Sequence, residues 1–310
     1  MTLQALRDGG KRALAAALAA LERDPDNAAT QALLDAAWRQ PCAHVVGITG
    51  PPGVGKSSLC AALVAAWRAE GKSVGVIAID PSSKVSGGAL LGDRVRIVHD
   101  TADDGVFVRS MAARDRLGGL AGQTVAAMVL MRALFDRVLI ETVGVGQSET
   151  DVAGAADTVV FCVQPGSGDS LQFMKAGIVE IPHLIIVTKS DLGGAAERAR
   201  ADVAGALSLA VAGGGDWQLK ALAVSSRNGA GLDGLLEALE AHRRHLAAEG
   251  RLAIARHRQG EGWIAEALRE QFGRSGIARL GRLGFDLALA PGGQPFERLR
   301  VLSRALEETS

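Results

Sequence analysis

Residues 50–57 read Gly-Pro-Pro-Gly-Val-Gly-Lys-Ser, and this stretch decides the fold because it matches the pattern G-x-x-x-x-G-K-[ST]. The apolar run His44–Thr49 before it predicts a buried strand, and Ser58–Trp67 after it has the pattern of a helix. A loop between such a strand and helix presents backbone N–H groups to phosphate. The sequence therefore predicts that Lys56 reaches the β- and γ-phosphates of a nucleotide and that Ser57 binds Mg²⁺.

The composition is that of a globular chain without a strong charge bias. Of 310 residues, 48% are hydrophobic and 22% are charged, which suffices for a sizeable core. The formal net charge is zero and aromatic residues make up 4%, so we expect neither a nucleic acid nor a membrane as partner. The cysteines Cys42, Cys60 and Cys162 lie far apart without a C-x-x-C spacing, which predicts free thiols in a reducing cytoplasm.

Apolar strands alternate with helices through the middle of the chain. The predicted strands are Val45–Thr49, Val74–Asp80, Val106–Arg109, Val138–Glu141, Thr158–Val163, Leu184–Thr188 and Leu219–Ser225. Because these strands are continuously apolar, both faces of the sheet should be covered, which predicts a mostly parallel sheet in a three-layer α/β domain. In such a domain the ligand binds at the carboxyl ends of the strands.

The pattern divides the chain into three parts. Residues 1–43 form an N-terminal helical extension, with a helical hairpin over Gln4–Arg39. Residues 44–247 hold the phosphate-binding loop and the predicted sheet. Residues 248–310 form a C-terminal helical extension that ends in a helix over Pro295–Leu306. We expect this last part to pack on the main domain or to serve as a dimerisation arm.

Two predicted strands end in a carboxylate, as expected beside a metal and a phosphate. The stretch Val138–Gly144 places Glu141 at the end of a strand, where P-loop proteins use an acidic residue to hold the metal directly or through water. Gly144 allows the backbone to approach the γ-phosphate, so this loop can order or collapse with hydrolysis. Asp80 ends another strand, and Asp93 lies in the Gly-rich loop after it. Both are candidates for the metal shell or for positioning water.

A third strand end carries a pattern for the nucleotide base. The stretch Leu184–Asp191 ends in T-K-x-D, which resembles the guanine-specificity element N-K-x-D of GTPases. There the carboxylate, here Asp191, accepts from guanine, and the lysine stem, here Lys189, covers the ring. Adenine would leave the carboxylate unpaired. Thr188 replaces the usual Asn that braces the loop, so we expect altered guanine selectivity or affinity. Val224–Arg227 resembles the S-A-[KR] element, which also contacts the base.

Several further stretches together resemble one family. They are G-I-T-G-P-P-G-V-G-K-S-S at Gly47–Ser58, D-P-S-S at Asp80–Ser83, G-A-L-L-G-D-R at Gly88–Arg94, R-S-M-A at Arg109–Ala112, L-G-G-L-A at Leu117–Ala121, E-T-V-G-V-G-Q-S-E at Glu141–Glu149 and P-G-S-G-D-S-L-Q at Pro165–Gln172. This set is similar to the MeaB/ArgK G-proteins, the chaperones of adenosylcobalamin-dependent acyl-CoA mutases. The resemblance covers roughly residues 41–246 and is looser in the helical ends.

The resemblance implies a function beyond GTP hydrolysis. Family members bind the mutase and use GTP binding and hydrolysis to gate the delivery of intact cofactor from an adenosyltransferase, and they help to expel damaged cofactor. It also implies a P-loop GTPase fold and a homodimer. We expect the mutase to be methylmalonyl-CoA mutase or a relative such as a 2-hydroxyisobutyryl-CoA mutase. The relative is favoured because the switch loops are less typical than the phosphate-binding loop.

The predicted site residues fall into three overlapping groups. The nucleotide, GTP or GDP, is expected to contact Gly50, Pro51, Pro52, Gly53, Val54, Gly55, Lys56, Ser57, Ser58, Gly144, Thr188, Lys189, Asp191, Ser225, Ser226 and Arg227. The Mg²⁺ ion is expected at Ser57, Asp80, Asp93 and Glu141. Hydrolysis is assigned to Lys56, Glu141, Asp93 and Gln147. It should be slow without a partner that supplies transition-state charge, although Arg94 and Arg109 are candidates for supplying it in cis.

Other functions of the phosphate-binding loop stay open at this point. A nickel-type metal-insertion GTPase would need clustered Cys or His ligands. His242 and His245 lie one helical turn apart, but we expect them on a solvated helix face. A small-molecule kinase would more often use ATP, which the guanine pattern disfavours. A non-catalytic scaffold is disfavoured by the intact Lys56, Ser57 and Glu141.

Overall fold

The described part of the chain forms a parallel sheet between two layers of helices. The computed structural model describes residues 1–81, 103–113, 122–144, 151–166, 181–210 and 216–309. The strands within these ranges are β1 (His44–Thr49), β2 (Val74–Pro81), β3 (Val106–Ala113), β4 (Arg137–Glu141), β5 (Thr158–Val163), β6 (Leu184–Val187) and β7 (Lys220–Ala223). These described strands pair in parallel in the order β3-β2-β4-β1-β5-β6-β7. The predicted three-layer α/β fold is confirmed.

Helices precede, cover and follow this sheet. Those in the described ranges are α1 (Leu3–Asp8), α2 (Gly10–Arg23), α3 (Ala28–Arg39), α4 (Lys56–Ala69), α5 (Gly122–Arg132), α6 (Gly194–Ala210), α7 (Leu232–Ala247), α8 (Arg251–Arg282) and α9 (Pro295–Glu307). The N-terminal hairpin is divided once more than predicted, because Gly9 separates α1 from α2. Gly273, at φ 67°, breaks the helical geometry inside α8. Across the described residues, no helix combines the length and hydropathy needed to cross a bilayer.

The two faces of the sheet are covered by different helices. Every residue of β1 is buried, as its continuous apolar run predicts. Successive side chains of a strand point to opposite faces. Val45 therefore joins the core under α2, α3 and α5, whereas Val46 and Ile48 join the core under α4 and α7. The central strands are buried between these helices, and the carboxyl ends of the strands form one edge of the sheet, where Lys56, Glu141 and Thr188 lie.

A buried ion pair attaches the C-terminal extension to the opposite edge of the sheet. Arg256 of α8 donates from Nε and Nη2 to the two carboxylate oxygens of Asp157, at 2.8 and 2.7 Å. Asp157 also accepts from the Val45 amide at 2.8 Å, and Arg256 donates to the Ala43 carbonyl at 2.8 Å. Burial, the largest single effect, would raise the pKa of Asp157, but the hydrogen bonds and charge of Arg256, together with His44 and the Val45 amide, outweigh it, so the net shift is downward. The pair is therefore charged and satisfied inside the protein.

The prediction that His242 lies on a solvated helix face is wrong. Its side chain is 1% exposed, and its ring lies 4.2 Å from that of His183 between centroids. The Thr158 hydroxyl lies 2.7 Å from Nδ1 of His242 and 2.7 Å from Nε2 of His44. His242 is buried because it continues the apolar stripe of α7, together with Leu235, Leu239 and Leu246. His44, Thr158, His183 and His242 therefore form a histidine cluster at the N-terminal ends of the strands.

This histidine cluster should make stability depend on pH. Burial lowers the pKa of His44 and His183 to about 4 and that of His242 to about 2. The unfolded chain takes up protons below its ordinary histidine pKa of about 6.5, whereas the folded chain does not. Stability should therefore fall as the pH drops from about 6.5 towards 4, by up to about 1.4 kcal/mol per pH unit for each histidine.

Urea unfolding at pH values between 7.5 and 5 measures the slope of the unfolding free energy against pH. The variant His242→Leu keeps the apolar stripe of α7 and should flatten the slope. His257→Gln, on α8 outside the cluster, should leave it as in the unsubstituted protein. Equal slopes for the His242 variant and the unsubstituted protein would contradict the assignment to this cluster.

Candidate functional site

The predicted phosphate lysine lies between two loops at the carboxyl edge of the sheet. Lys56 begins α4 and is buried, with 6% of its surface exposed. Its Nζ donates to the carbonyl oxygens of Gly50 at 2.8 Å and Pro51 at 3.0 Å. It also donates to the carbonyl of Val143, in the loop after β4, at 3.4 Å. The ammonium group thus connects the phosphate-binding loop with the loop that follows Glu141.

Two glycines allow these loops to touch. Gly144 has φ 81°, and a Cβ there would overlap the carbonyl oxygen of Gly50 and lie 2.5 Å from Nζ of Lys56. Gly50 has φ 135°, and a Cβ there would overlap the carbonyl oxygen of Cys162 in β5. Both positions combine a backbone conformation that favours glycine with contact against another backbone. In this structure the close approach of Gly144 is to the phosphate-binding loop. Its predicted approach to a γ-phosphate stays a prediction.

Ser57 and Glu141 meet at the position predicted for Mg²⁺. The Ser57 hydroxyl donates to Oε1 of Glu141 at 2.6 Å, and the carboxylate is 8% exposed. The pairing of Ile48 with Glu141 between β1 and β4 brings the carboxylate beside the phosphate-binding loop. Hydroxyl and carboxylate oxygens suit Mg²⁺, which usually retains waters and takes further ligands from substrate phosphates. These residues therefore fit the ion, although the described residues contain no cluster of three or more His, Cys, Asp or Glu side chains that could enclose a metal.

The start of α4 is suited to an anion. Gly55 precedes the helix at φ 102° and supplies no side chain to cap the first turn. Helix N-termini attract anions through their amides and the helix dipole. Pro52, Gly53 and Ser58 are exposed around this turn, whereas Val54 is buried and anchors the loop in the core.

Thr188 braces the phosphate-binding loop from the adjacent strand end. Its hydroxyl lies 2.7 Å from the carbonyl oxygen of Val54 and 3.0 Å from that of Val163, and the side chain is buried. A hydroxyl has one proton, so it donates to one of these carbonyls at a time. The contact links the base-binding loop to the phosphate-binding loop, which is the bracing that the sequence assigned to Asn at this place.

The predicted base-reading carboxylate is held by the loop after β7. The Ser225 hydroxyl donates to Oδ1 of Asp191 at 2.7 Å, and Nη1 of Arg227 lies 4.0 Å from Oδ2. The hydrogen bond from Ser225 is the main cause of a lowered pKa for Asp191, so the carboxylate is ionised near neutral pH. Ser226 lies between these residues in the same turn. The structure therefore brings together the predicted base-binding residues of two strand ends.

Some predicted residues are not placed at this site. Asp93, Gln147 and Arg94 lie outside the described residues. Asp80 is the second-to-last residue of β2, and only its backbone is described. Arg109, on β3, forms an ion pair with Glu22 of α2, which assigns it a structural contact.

One contact at the site has no counterpart among the sequence predictions. Gln164 follows β5 directly and accepts a hydrogen bond from the Lys189 ammonium group. The signal available in the sequence was its place as the first polar residue after a buried strand, at the edge where the ligand binds.

The comparisons with known proteins agree with this geometry. A phosphate-binding loop, a strand-end carboxylate and a T-K-x-D loop on this sheet are the parts of a P-loop GTPase. The family model described as "Methylmalonyl Co-A mutase-associated GTPase MeaB" matches residues 13–278. The chain therefore belongs to the MeaB family of GTPases, and GTP hydrolysis is its enzymatic activity.

Three similar proteins illustrate the relationship. A protein of Pyrococcus horikoshii, named as a GTPase, is 40% identical over 258 residues, which cover 82% of this chain and 80% of that protein. The mouse protein named methylmalonic aciduria type A homolog, mitochondrial, is 36% identical over 234 residues, or 74% of this chain and 56% of that protein. The crystal structure titled LAO/AO transport system kinase matches with a TM-score of 0.68 at 29% identity, covering 99% of this chain and 95% of that one.

The contact between Gly144 and the phosphate-binding loop predicts the effect of adding one methyl group. Gly144→Ala should weaken binding of a fluorescent GTP analogue by roughly tenfold or more, because the Cβ displaces either the Gly50 carbonyl or the Lys56 ammonium group. Gly154→Ala is a matched control, since a Cβ at that exposed glycine meets nothing within 4 Å. Equal affinities of the two variants would contradict the close contact.

Proposed function

We propose that this GTPase is a nucleotide-dependent chaperone of an adenosylcobalamin-dependent acyl-CoA mutase. The proposal is carried by the Lys56 ammonium group, which binds carbonyls of both the phosphate-binding loop and the loop after β4. A nucleotide phosphate at this lysine would compete with those carbonyls, so the loop after β4 responds to the γ-phosphate. The family description as mutase-associated supports a mutase as the partner that detects this change.

The residues of the site divide the work on GTP between them. Lys56 and the amides at the start of α4 hold the phosphates, and Asp191 and Lys189 hold the guanine base. Ser57 and Glu141 would hold Mg²⁺, directly or through water, and the ion would supply positive charge to the nucleotide phosphates. We propose that Asp80 and Asp93 act with Glu141 in the metal-linked switch region, and that Asp93 and Gln147 take part in hydrolysis. Hydrolysis then resets the loops and should be slow until the partner binds.

The proposed partners are a mutase, an adenosyltransferase and a second copy of this chain. We propose that the chain gates the loading and protection of the mutase cofactor, with an adenosyltransferase as the source of that cofactor. We propose that it acts in the cytoplasm as a homodimer and that residues 248–310 serve as the dimerisation arm. The mutase is methylmalonyl-CoA mutase or a relative such as a 2-hydroxyisobutyryl-CoA mutase, with the relative favoured.

Pull-down experiments with the two purified mutases test the partner. The 2-hydroxyisobutyryl-CoA mutase should be retained. Its Kd for this protein should differ at least about tenfold between the GDP-bound form and the form bound to a non-hydrolysable GTP analogue, as expected when partner binding is coupled to nucleotide state. The variant Lys56→Ala should lose that difference, because it cannot couple the loops to phosphate.

The outcomes separate the parts of this proposal. Tight, nucleotide-sensitive binding to methylmalonyl-CoA mutase would overturn the choice of the relative. Binding to neither mutase in any nucleotide state would contradict the chaperone role itself.

Exchanging the base-reading carboxylate should change the preferred nucleotide. Asp191→Asn keeps one acceptor for the ring N1–H but replaces the other with an amide donor, which would face the guanine 2-amino group unfavourably and suit the C2 carbonyl of xanthine. We expect the Asp191→Asn variant to bind GDP about 10- to 100-fold more weakly than the unsubstituted protein does, and to bind xanthosine diphosphate (XDP) more tightly. Isothermal titration with GDP, XDP and ADP measures this exchange. Tight ADP binding by the unsubstituted protein would instead favour the kinase alternative.

A further inference from the structure

The Lys189 ammonium group connects three neighbouring segments at the ligand edge of the sheet. Lys189 follows β6, and its Nζ donates to the carbonyl of Gly53 at 3.1 Å, in the phosphate-binding loop. It also donates to Oε1 of Gln164 at 2.5 Å. Gln164 directly follows β5, which pairs with β6. Two acceptors from different loops therefore hold the tip of this lysine.

Holding this side chain has an energetic consequence, because Lys189 is exposed. A free lysine side chain has many rotamers, and part of that freedom is lost when a base packs on its stem. The backbone of Lys189 is in the left-handed region at φ 55° and ψ 42°, which fixes where the stem begins. The acceptors at Gly53 and Gln164 fix where it ends, so the stem is ordered without a nucleotide.

We propose that Gln164 is a positioning residue for the guanine base, because it holds the Lys189 stem in place to form one wall of the base site. This inference rests on the proposed role of Lys189 in covering the base. An ammonium group has three donors and benefits from several acceptors. The Gly53 carbonyl belongs to the loop that binds phosphate, whereas Gln164 supplies an acceptor from a separate strand end.

Positioning of the stem affects affinity rather than selectivity. The lysine stem covers the flat ring, whereas the edge that distinguishes guanine is read by Asp191. Loss of the Gln164 acceptor should therefore weaken the binding of GDP and of XDP by the same factor. XDP binding is measured in the Asp191→Asn background. The chemical step should be unaffected, because the base is held equally in the ground state and the transition state, and loss of such uniform binding raises KM and leaves kcat unchanged.

Substitutions at Gln164 test this role through affinity and kinetics. Gln164→Leu should raise the Kd for GDP and for a non-hydrolysable GTP analogue about three- to tenfold, which corresponds to ordering one long side chain on binding. The kcat at saturating GTP should stay within about twofold. Gln164→Glu keeps an acceptor for the ammonium group and should bind GDP within about threefold of the unsubstituted protein.

A double-mutant cycle shows whether the effect passes through the lysine. In the Lys189→Ala background, Gln164→Leu should cause no further loss of GDP affinity, because the group that it positions is absent. Gln4→Leu is the control for replacing an exposed glutamine, since Gln4 lies on α1 and donates to Asp8. It should leave the Kd unchanged.

Each contrary result has a distinct meaning. If Lys189→Ala binds GDP like the unsubstituted protein, both the base-covering role of Lys189 and the positioning role of Gln164 are wrong. If Lys189→Ala weakens binding but Gln164→Leu does not, only the positioning role is wrong. The same holds if Gln164→Leu weakens binding equally in both backgrounds, or if Gln164→Glu is as weak as Gln164→Leu.

Discussion

The site depends on one close approach, between the backbone of Gly144 and the carbonyl of Gly50. A Cβ at Gly144 would occupy the space of that carbonyl oxygen, so the loop after β4 can touch the phosphate-binding loop only without a side chain there. The contact places the Val143 carbonyl within reach of the Lys56 ammonium group. If a nucleotide phosphate binds Lys56 as proposed, this short path would let it alter a loop that a partner could contact. In that proposal Gly144 permits the coupling and Lys56 transmits it.

The two edges of the sheet are built for opposite tasks. At the carboxyl ends of the strands, glycines and a helix start present backbone groups to an anion. At the strand starts, side chains fill the space: Arg256 binds Asp157, and the Thr158 hydroxyl lies between His44 and His242. That closed edge attaches α7 and α8 to the sheet. In the proposed mechanism, the open edge changes with the nucleotide while these contacts hold the helical extensions against the core.

The sequence was sufficient for whatever follows from local pattern. The continuous apolar run His44–Thr49 predicts a strand buried on both faces, and the end of the apolar run Val138–Glu141 places Glu141 at the ligand edge. His242 was misplaced because its burial depends on the sheet against which α7 packs, although the spacing of the α7 leucines shows the stripe. The Gln164 contact was missed because it joins the ends of two strands that pair only in the folded sheet.

The change from Asn to Thr at position 188 separates two tasks that the usual motif combines. The Thr188 hydroxyl is buried between the carbonyls of Val54 and Val163, so its polar group is used inside the protein. It holds the loops in register but has no second donor, as an amide would, to offer to a base. In the proposed site, recognition of the guanine edge then falls to Asp191, which accepts a hydrogen bond from Ser225 that lowers its pKa. We therefore expect Thr188 to retain the position of the base-binding loop while selectivity depends more strongly on this one carboxylate.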